Sequence, residues 1–100
     1  MTYAIHPEAK AELAEAAVYY AEQASPMIAT VFMDEFERTV DLIVANQQCG
    51  LRVEGGLRLY HLRRFPYTIF YEKNETLGPQ IFAVAHQRRE PEYWRIRTFK

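Results

Sequence analysis

Residues 57 to 86 read LRLYHLRRFPYTIFYEKNETLGPQIFAVAH, and this stretch decides the fold. Its first part alternates, with Leu57, Leu59 and His61 set against Arg58, Tyr60 and Leu62, the two-residue period of a strand. Pro66 interrupts, because its ring leaves no amide to give to a ladder. Tyr67, Ile69 and Tyr71 then alternate with Thr68, Phe70 and Glu72 in a second strand rich in aromatic and β-branched residues. After a polar turn from Lys73 to Pro79, Gln80 to His86 forms a third run. A strict alternation puts Ile81, Ala83 and Ala85 on one face and Phe82 and Val84 on the other. Both sets are apolar, so this strand is expected to be covered on both faces and to lie centrally in a sheet.

Upstream of Gly55 and Gly56 the period is helical. Ala9, Leu13, Ala16, Ala17, Tyr20 and Ala24 recur on one side of a segment running from about 7 to 24, with Glu8, Glu12, Glu15 and Glu22 largely on the other. Pro7 suits the first turn of that helix and closes a short strand over Tyr3 to His6. Ser25 and Pro26 signal the start of a second helix after a tight connection. Phe32, Phe36, Val40 and Ile43 form its apolar stripe, widened by Val31, Met33 and Leu42, while Asp34, Glu37, Arg38 and Asp41 face water. It should stop near Asn46, before Gly50. The tail, QRREPEYWRIRTFK, contains Pro91, which can start a helical turn, and Tyr93, Trp94, Ile96 and Phe99, which need packing partners. The expected fold is α+β: an N-terminal helical hairpin packed on one face of a curved, mainly antiparallel sheet of about four strands, with residues 1–100 forming a single domain.

The balance of 49% apolar and 25% charged residues can bury a core, but 100 residues give a domain of marginal stability that a partner would reinforce. Cys49 is the only cysteine, which excludes an internal disulfide or a cysteine-based metal cluster and fits a reducing compartment. With no leader-like opening and no apolar run near the roughly 20 residues that span a bilayer, the expected location is the cytoplasm, away from membranes. Net charge is -1, yet the halves differ in sign: residues 1–50 carry two cations against eight acids, a net of -6, and residues 51–100 carry ten cations against five acids, a net of +5. Eight of those ten cations are arginine, whose planar fork of donors suits carboxylate or phosphate. The simpler alternative is a solvated face paired with the acidic helices.

Several motifs in this order resemble the ParE branch of the ParE/RelE superfamily of toxin-antitoxin toxins. They are a helical hairpin opening with Pro7 to Ala9 and carrying Tyr19 and Tyr20, then an arginine-bearing strand, then Phe65, Pro66 and Tyr67 leading to Ile69 and Tyr71. A strand ending in His86 follows, before Arg88, Arg89, Pro91 and Trp94. Each piece is short, but together they cover essentially the whole chain. The resemblance implies a toxin of a type II toxin-antitoxin system that inhibits DNA gyrase and replication by binding, is neutralised by a cognate antitoxin with an acidic or amphipathic segment, assembles with it as a hetero-oligomer and needs no cofactor. Candidate contacts to target or antitoxin are Arg58, Arg63, Arg64, His86, Arg88, Arg89, Trp94 and Arg97.

The other branch of the superfamily consists of ribosome-dependent messenger RNA endoribonucleases. Such chemistry needs a base for the 2'-hydroxyl, an acid for the leaving oxygen and charge to stabilise the phosphorane. Here Arg58, Arg63, His86, Arg88 and Tyr93 are the residues that would supply it. Two departures lean against cleavage: no lysine lies between Lys10 and Lys73, and Gln87 stands after His86 where enzymatic relatives carry a cation. A third alternative is a non-toxic relative that only binds its antitoxin. His6, His61 and His86 show no metal-ligand spacing, so no metal is expected. His86 also has a purely structural reading, as the residue that fixes the end of its strand, and Tyr93 and Trp94 have one as packing residues.

Overall fold

The structure, a computed structural model, describes residues 2–88 and residue 97. Strand β1 (Ala4–Ile5) ends where His6 turns the chain: its Nδ1 accepts the backbone N–H of Glu8 at 3.1 Å, and Pro7 enters a first helical turn that needs no proline amide. Helix α1 (Pro7–Gln23) is joined through Ala24 and Ser25 to α2 (Pro26–Ala45). The Ser25 hydroxyl caps α2 by accepting the Ile28 N–H at 3.2 Å. Both helices end within a residue of the expected points.

The sheet contains β2 (Leu51–Arg52), β3 (Leu57–His61), β4 (Tyr67–Glu72) and β5 (Gln80–His86) besides β1, in the order β1-β5-β4-β3-β2. β1 runs parallel to β5 and the other pairs are antiparallel. The sheet therefore has five strands rather than about four. The extra one, β2, pairs Leu51 with Leu59 and Arg52 with Arg58 and is too short to show a period. β5 lies between β1 and β4, the central place expected for it.

Strict alternation fails within β5. Tyr71 pairs with Ile81 while its neighbour Phe70 pairs with Ala83, which leaves Phe82 as the extra residue of a bulge. Ile81 and Val84 thus both join the core under the helices, whereas Ala83 belongs to a cluster on the opposite face. The assignment of Ile81, Ala83 and Ala85 to one face is corrected accordingly. Periodicity cannot register one inserted residue in a run that is apolar throughout.

The main core joins Leu13 and Ala16 of α1, Phe32, Phe36, Val40 and Ile43 of α2, and Ile69, Tyr71, Ile81 and Val84 of the sheet, with Tyr20 packed against it. Leu42, expected to widen the α2 stripe, is instead 51% exposed, because it sits one residue beyond the buried face. The second cluster, on the far side of the sheet, comprises Leu57 and Ala83 with Val53, Phe70 and Phe82 packed against them.

Tyr71 fastens the segment between α2 and β2 to the core. Its buried hydroxyl donates to the Gln47 carbonyl at 2.8 Å and accepts the Gly50 N–H at 3.0 Å. A Cβ at residue 50 would stand 2.6 Å from that hydroxyl and 2.8 Å from the Leu59 carbonyl, so the approach requires glycine. Burial pushes the Tyr71 phenol up to about 12, against a lowering contribution from the Gly50 N–H. The neutral phenol is what the fold holds, so its contribution is complete below pH 10, the ordinary tyrosine value, and disappears as pH rises through 12.

Two stability effects are expected. Phe36 is 1% exposed, and Phe36→Ala should cost about 3 to 5 kcal/mol in urea unfolding; a loss below about 1 kcal/mol would remove it from the core. Tyr71→Phe should cost about 1 to 3 kcal/mol at neutral pH, because it leaves the Gly50 N–H and the Gln47 carbonyl without their partner. Equal stability of Tyr71→Phe and wild type at pH 7 would show that the hydroxyl does not hold this segment.

Candidate functional site

The arginine pair of the LRRF sequence projects from the β3–β4 turn because the residues on either side are anchored. Leu62 is buried, and its N–H reaches the Tyr67 carbonyl at 2.9 Å. The Phe65 ring stacks edge-on against Tyr20 and Phe32, with centroids 5.1 Å away in both cases. Arg63 and Arg64 are left exposed between these two anchors.

Glu35 of α2 ties this turn to the helices. Its side chain is only 5% exposed and accepts the Arg64 N–H at 2.9 Å and the Arg64 Nε–H at 3.1 Å. Burial alone would push its carboxyl up, but the backbone N–H and guanidinium of Arg64, with the backbone N–H of Arg63, outweigh it and hold the group below the usual carboxylate value. Sequence reading missed Glu35. The available signal was an acid beside Phe36 on the edge of an otherwise apolar stripe.

Around that contact lies a recess of about 340 Å³ lined by Glu35, Arg38, Thr39, Leu42, Tyr60, Arg63 and Arg64. Glu35, Arg38, Thr39 and Leu42 fall on one side of α2 by helical spacing, and Tyr60 faces them from β3. Arg38 was read only as a water-facing charge. The structure brings it to the same recess as Arg63 and Arg64.

The other candidates are placed elsewhere. Arg58 points to the segment after α2, with Nη1 donating to the carbonyls of Gly50 at 3.0 Å and Gln48 at 3.3 Å. His86 and Arg88 lie at the end of β5, next to the β3–β4 turn, where the Gln87 N–H reaches the Pro66 carbonyl at 2.8 Å. His86 Nδ1 accepts the Arg88 N–H at 3.0 Å, and the imidazole meets the Tyr67 ring edge-on at 5.1 Å. That ring opens on a groove of about 240 Å³ whose other walls include Glu12, Glu15, Tyr19 and Tyr67. Tyr67 is held above the ordinary tyrosine value by burial, with Tyr19 and Glu15 adding to it, so its phenol stays protonated at neutral pH. The carboxylates beside it disfavour phosphate.

Arg97 is buried instead of presented. Its guanidinium donates to both Glu12 carboxylate oxygens at 3.0 and 2.9 Å and to the Phe82 carbonyl at 2.9 Å, with Glu8 at 3.9 Å. Arg89, Tyr93 and Trp94 lie outside the described residues. Among the described residues the candidates therefore form three groups: the Arg38, Arg63 and Arg64 recess, the His86 groove, and Arg58 at the α2–β2 segment. Within those residues no three or more His, Cys, Asp or Glu side chains gather as metal ligands, and no helix is long and apolar enough to cross a membrane.

A helical hairpin on a five-stranded sheet, with arginines at one turn, defines a small α+β domain. The model of the ParE toxin of type II toxin-antitoxin systems, parDE, matches residues 3–91, and the chain belongs to that family. A solved structure described as the chromosomal ParDE TA system from P. aeruginosa superposes with a TM-score of 0.73 over 86% of this chain and 95% of that one, at 24% identity, which supports the shared fold. No match was found among curated proteins.

The Glu35 contact yields a pH dependence. Its carboxyl is more acidic folded than unfolded, so its stabilisation is present above the ordinary value of 4.5 and is lost as pH falls through the lower folded value. Glu35→Ala should cost about 2 to 3 kcal/mol at pH 7, and the gap to wild type should narrow below pH 4. A gap that stays constant from pH 7 to pH 3 would mean that the ionised carboxylate does not hold the turn.

Proposed function

We propose that this ParE-family toxin acts in the cytoplasm by binding DNA gyrase and arresting replication, and that a cognate antitoxin neutralises it by occupying its arginine-bearing surface. The observation that carries this reading is the separation of cation from acid-base group. Arg38, Arg63 and Arg64 line the recess between α2 and the β3–β4 turn, whereas His86 and Tyr67 line a different one with Glu12 and Glu15 that none of those three arginines enters. Phosphoryl transfer needs both sets at one phosphate. Binding does not, since a rim of arginines beside partly exposed apolar side chains already has the composition of an interface.

Messenger RNA cleavage is the second reading, favoured by one observation: Arg88 follows His86 closely and its N–H is bonded to the imidazole. A tyrosine acting as base would need a lowered pKa, and Tyr67 is shifted the other way.

Supercoiling by purified gyrase should fall as the toxin is titrated in and recover when antitoxin is added first. Undiminished supercoiling at a large toxin excess would overturn the gyrase reading. New 5' ends in messenger RNA from toxin-expressing cells, mapped by primer extension, would replace it with cleavage. Normal growth on induction without antitoxin would instead mark a non-toxic relative.

A further inference from the structure

The recess between α2 and the β3–β4 turn combines three features not found together elsewhere among the described residues. It has a concave volume of about 340 Å³, suited to a few side chains. Its walls include Leu42, half exposed on α2, and Tyr60, partly exposed on β3. Its rim carries Arg38, Arg63 and Arg64, of which Arg64 is engaged with Glu35, while the Arg38 and Arg63 side chains form no ion pair with a described carboxylate.

We infer that this recess docks an acidic, apolar-flanked polypeptide segment of the antitoxin, with a carboxylate set between Arg38 and Arg63 and an apolar side chain laid against Leu42 and Tyr60. This rests on the proposed neutralisation by an antitoxin and names where the contact is made. Charge complementarity selects the carboxylate. Two guanidiniums with no ion-pair partner among the described residues offer forked donors, and a carboxylate between them makes charge-assisted hydrogen bonds that neutral groups cannot match. The apolar walls select a polypeptide over a nucleic acid. A nucleic-acid strand carries a phosphate at every nucleotide and would bring several of them past Asp34, Glu37 and Asp41, which are exposed on α2 close to Arg38 in sequence. A peptide can confine its charge to one point and cover Leu42 with the next turn of chain.

The position also explains a structural cost. Burying Glu35 to fix the backbone at Arg64 is unfavourable on desolvation grounds, yet it holds the turn rigid at the residue adjoining Arg63. A preformed turn loses less freedom when a partner binds, so more of the contact energy appears as affinity.

The test uses the full chain and its co-expressed cognate antitoxin. Arg38 and Arg63 are exposed, so Arg38→Glu/Arg63→Glu should fold as wild type does, which thermal melting checks. The double variant should bind antitoxin about a hundredfold more weakly, and Leu42→Lys, which keeps the arginines, about tenfold more weakly. Arg58→Glu, outside the recess, should change affinity less than the double variant does. Antitoxin affinity unchanged in both the double variant and Leu42→Lys would overturn the inference while leaving neutralisation itself standing. Failure of wild-type toxin to bind antitoxin at all would overturn the neutralisation reading and this one with it. Loss of binding to a labelled single-stranded RNA in the double variant, with antitoxin affinity intact, would reassign the recess to nucleic acid.

Discussion

β5 has to satisfy two faces and one edge at once, and the extra residue at Phe82 is how it does so. Without the bulge, Ile81 and Val84 would point to opposite sides and the helical hairpin would lose one of its two β5 anchors. With it, both point toward α1 and α2. The edge is the second problem, because β1 pairs only with Gln80 and Ile81. Beyond them the backbone of β5 would present donors and acceptors to any passing strand. Side chains finish that edge: Glu12 accepts the Val84 N–H at 3.0 Å, and Arg97 donates to the Phe82 carbonyl at 2.9 Å. The two side chains also hold each other, which compensates the desolvation of both charges.

The candidate site depends on that arrangement at one remove. Because α1 and α2 are fixed on β5 and β4, Tyr20 and Phe32 stand where Phe65 can pack on them, and Glu35 stands where it can reach the backbone of the turn. The exposed arginines are thus set by a core contact on one side and the buried Glu35 carboxylate on the other. Arg58 follows a different logic. Facing the helix side of β3, opposite Tyr71, it is drawn to the carbonyls of the segment that Tyr71 also binds.

What could be read from the sequence follows from the range of each signal. Periodicity located both helices, β3, β4 and β5 because each repeats its pattern over five residues or more, and the Ser25 and Pro26 pair placed the hairpin turn. β2 spans two residues and has no pattern to repeat. The Phe82 bulge is a register event between two strands and leaves no trace in one of them. At the site, the LRRF run showed which arginines project, since Leu62 and Phe65 are apolar and Arg63 and Arg64 are not. It could not show that Arg38, 25 residues earlier, shares their recess, because helix phase relative to the sheet is fixed only by tertiary packing. Nor could it separate Arg97 from the surface arginines. Both are the same residue type, and only contact with Glu12 and Phe82 distinguishes them.

The charge division between the halves has a double meaning that the structure resolves in part. An excess of six acids in residues 1–50 and of five cations in residues 51–100 looks, from the sequence, like a surface prepared for an acidic partner. Some of that opposition is satisfied internally, through Glu35 with Arg64 and through Glu12 and Glu8 with Arg97. Internal pairing of this kind draws the two halves together and leaves little field outside. Arg38 and Arg63 are different, since among the described residues neither side chain forms an ion pair with a carboxylate, and both border apolar side chains that remain partly in water. Such a guanidinium is not already held in an ion pair, and arginine is weakly hydrated, so an external carboxylate gains more there than at an arginine already paired. The overall charge split is therefore a poor guide to the proposed antitoxin contact, and Arg38 and Arg63, which form no ion pair among the described residues, are a better one.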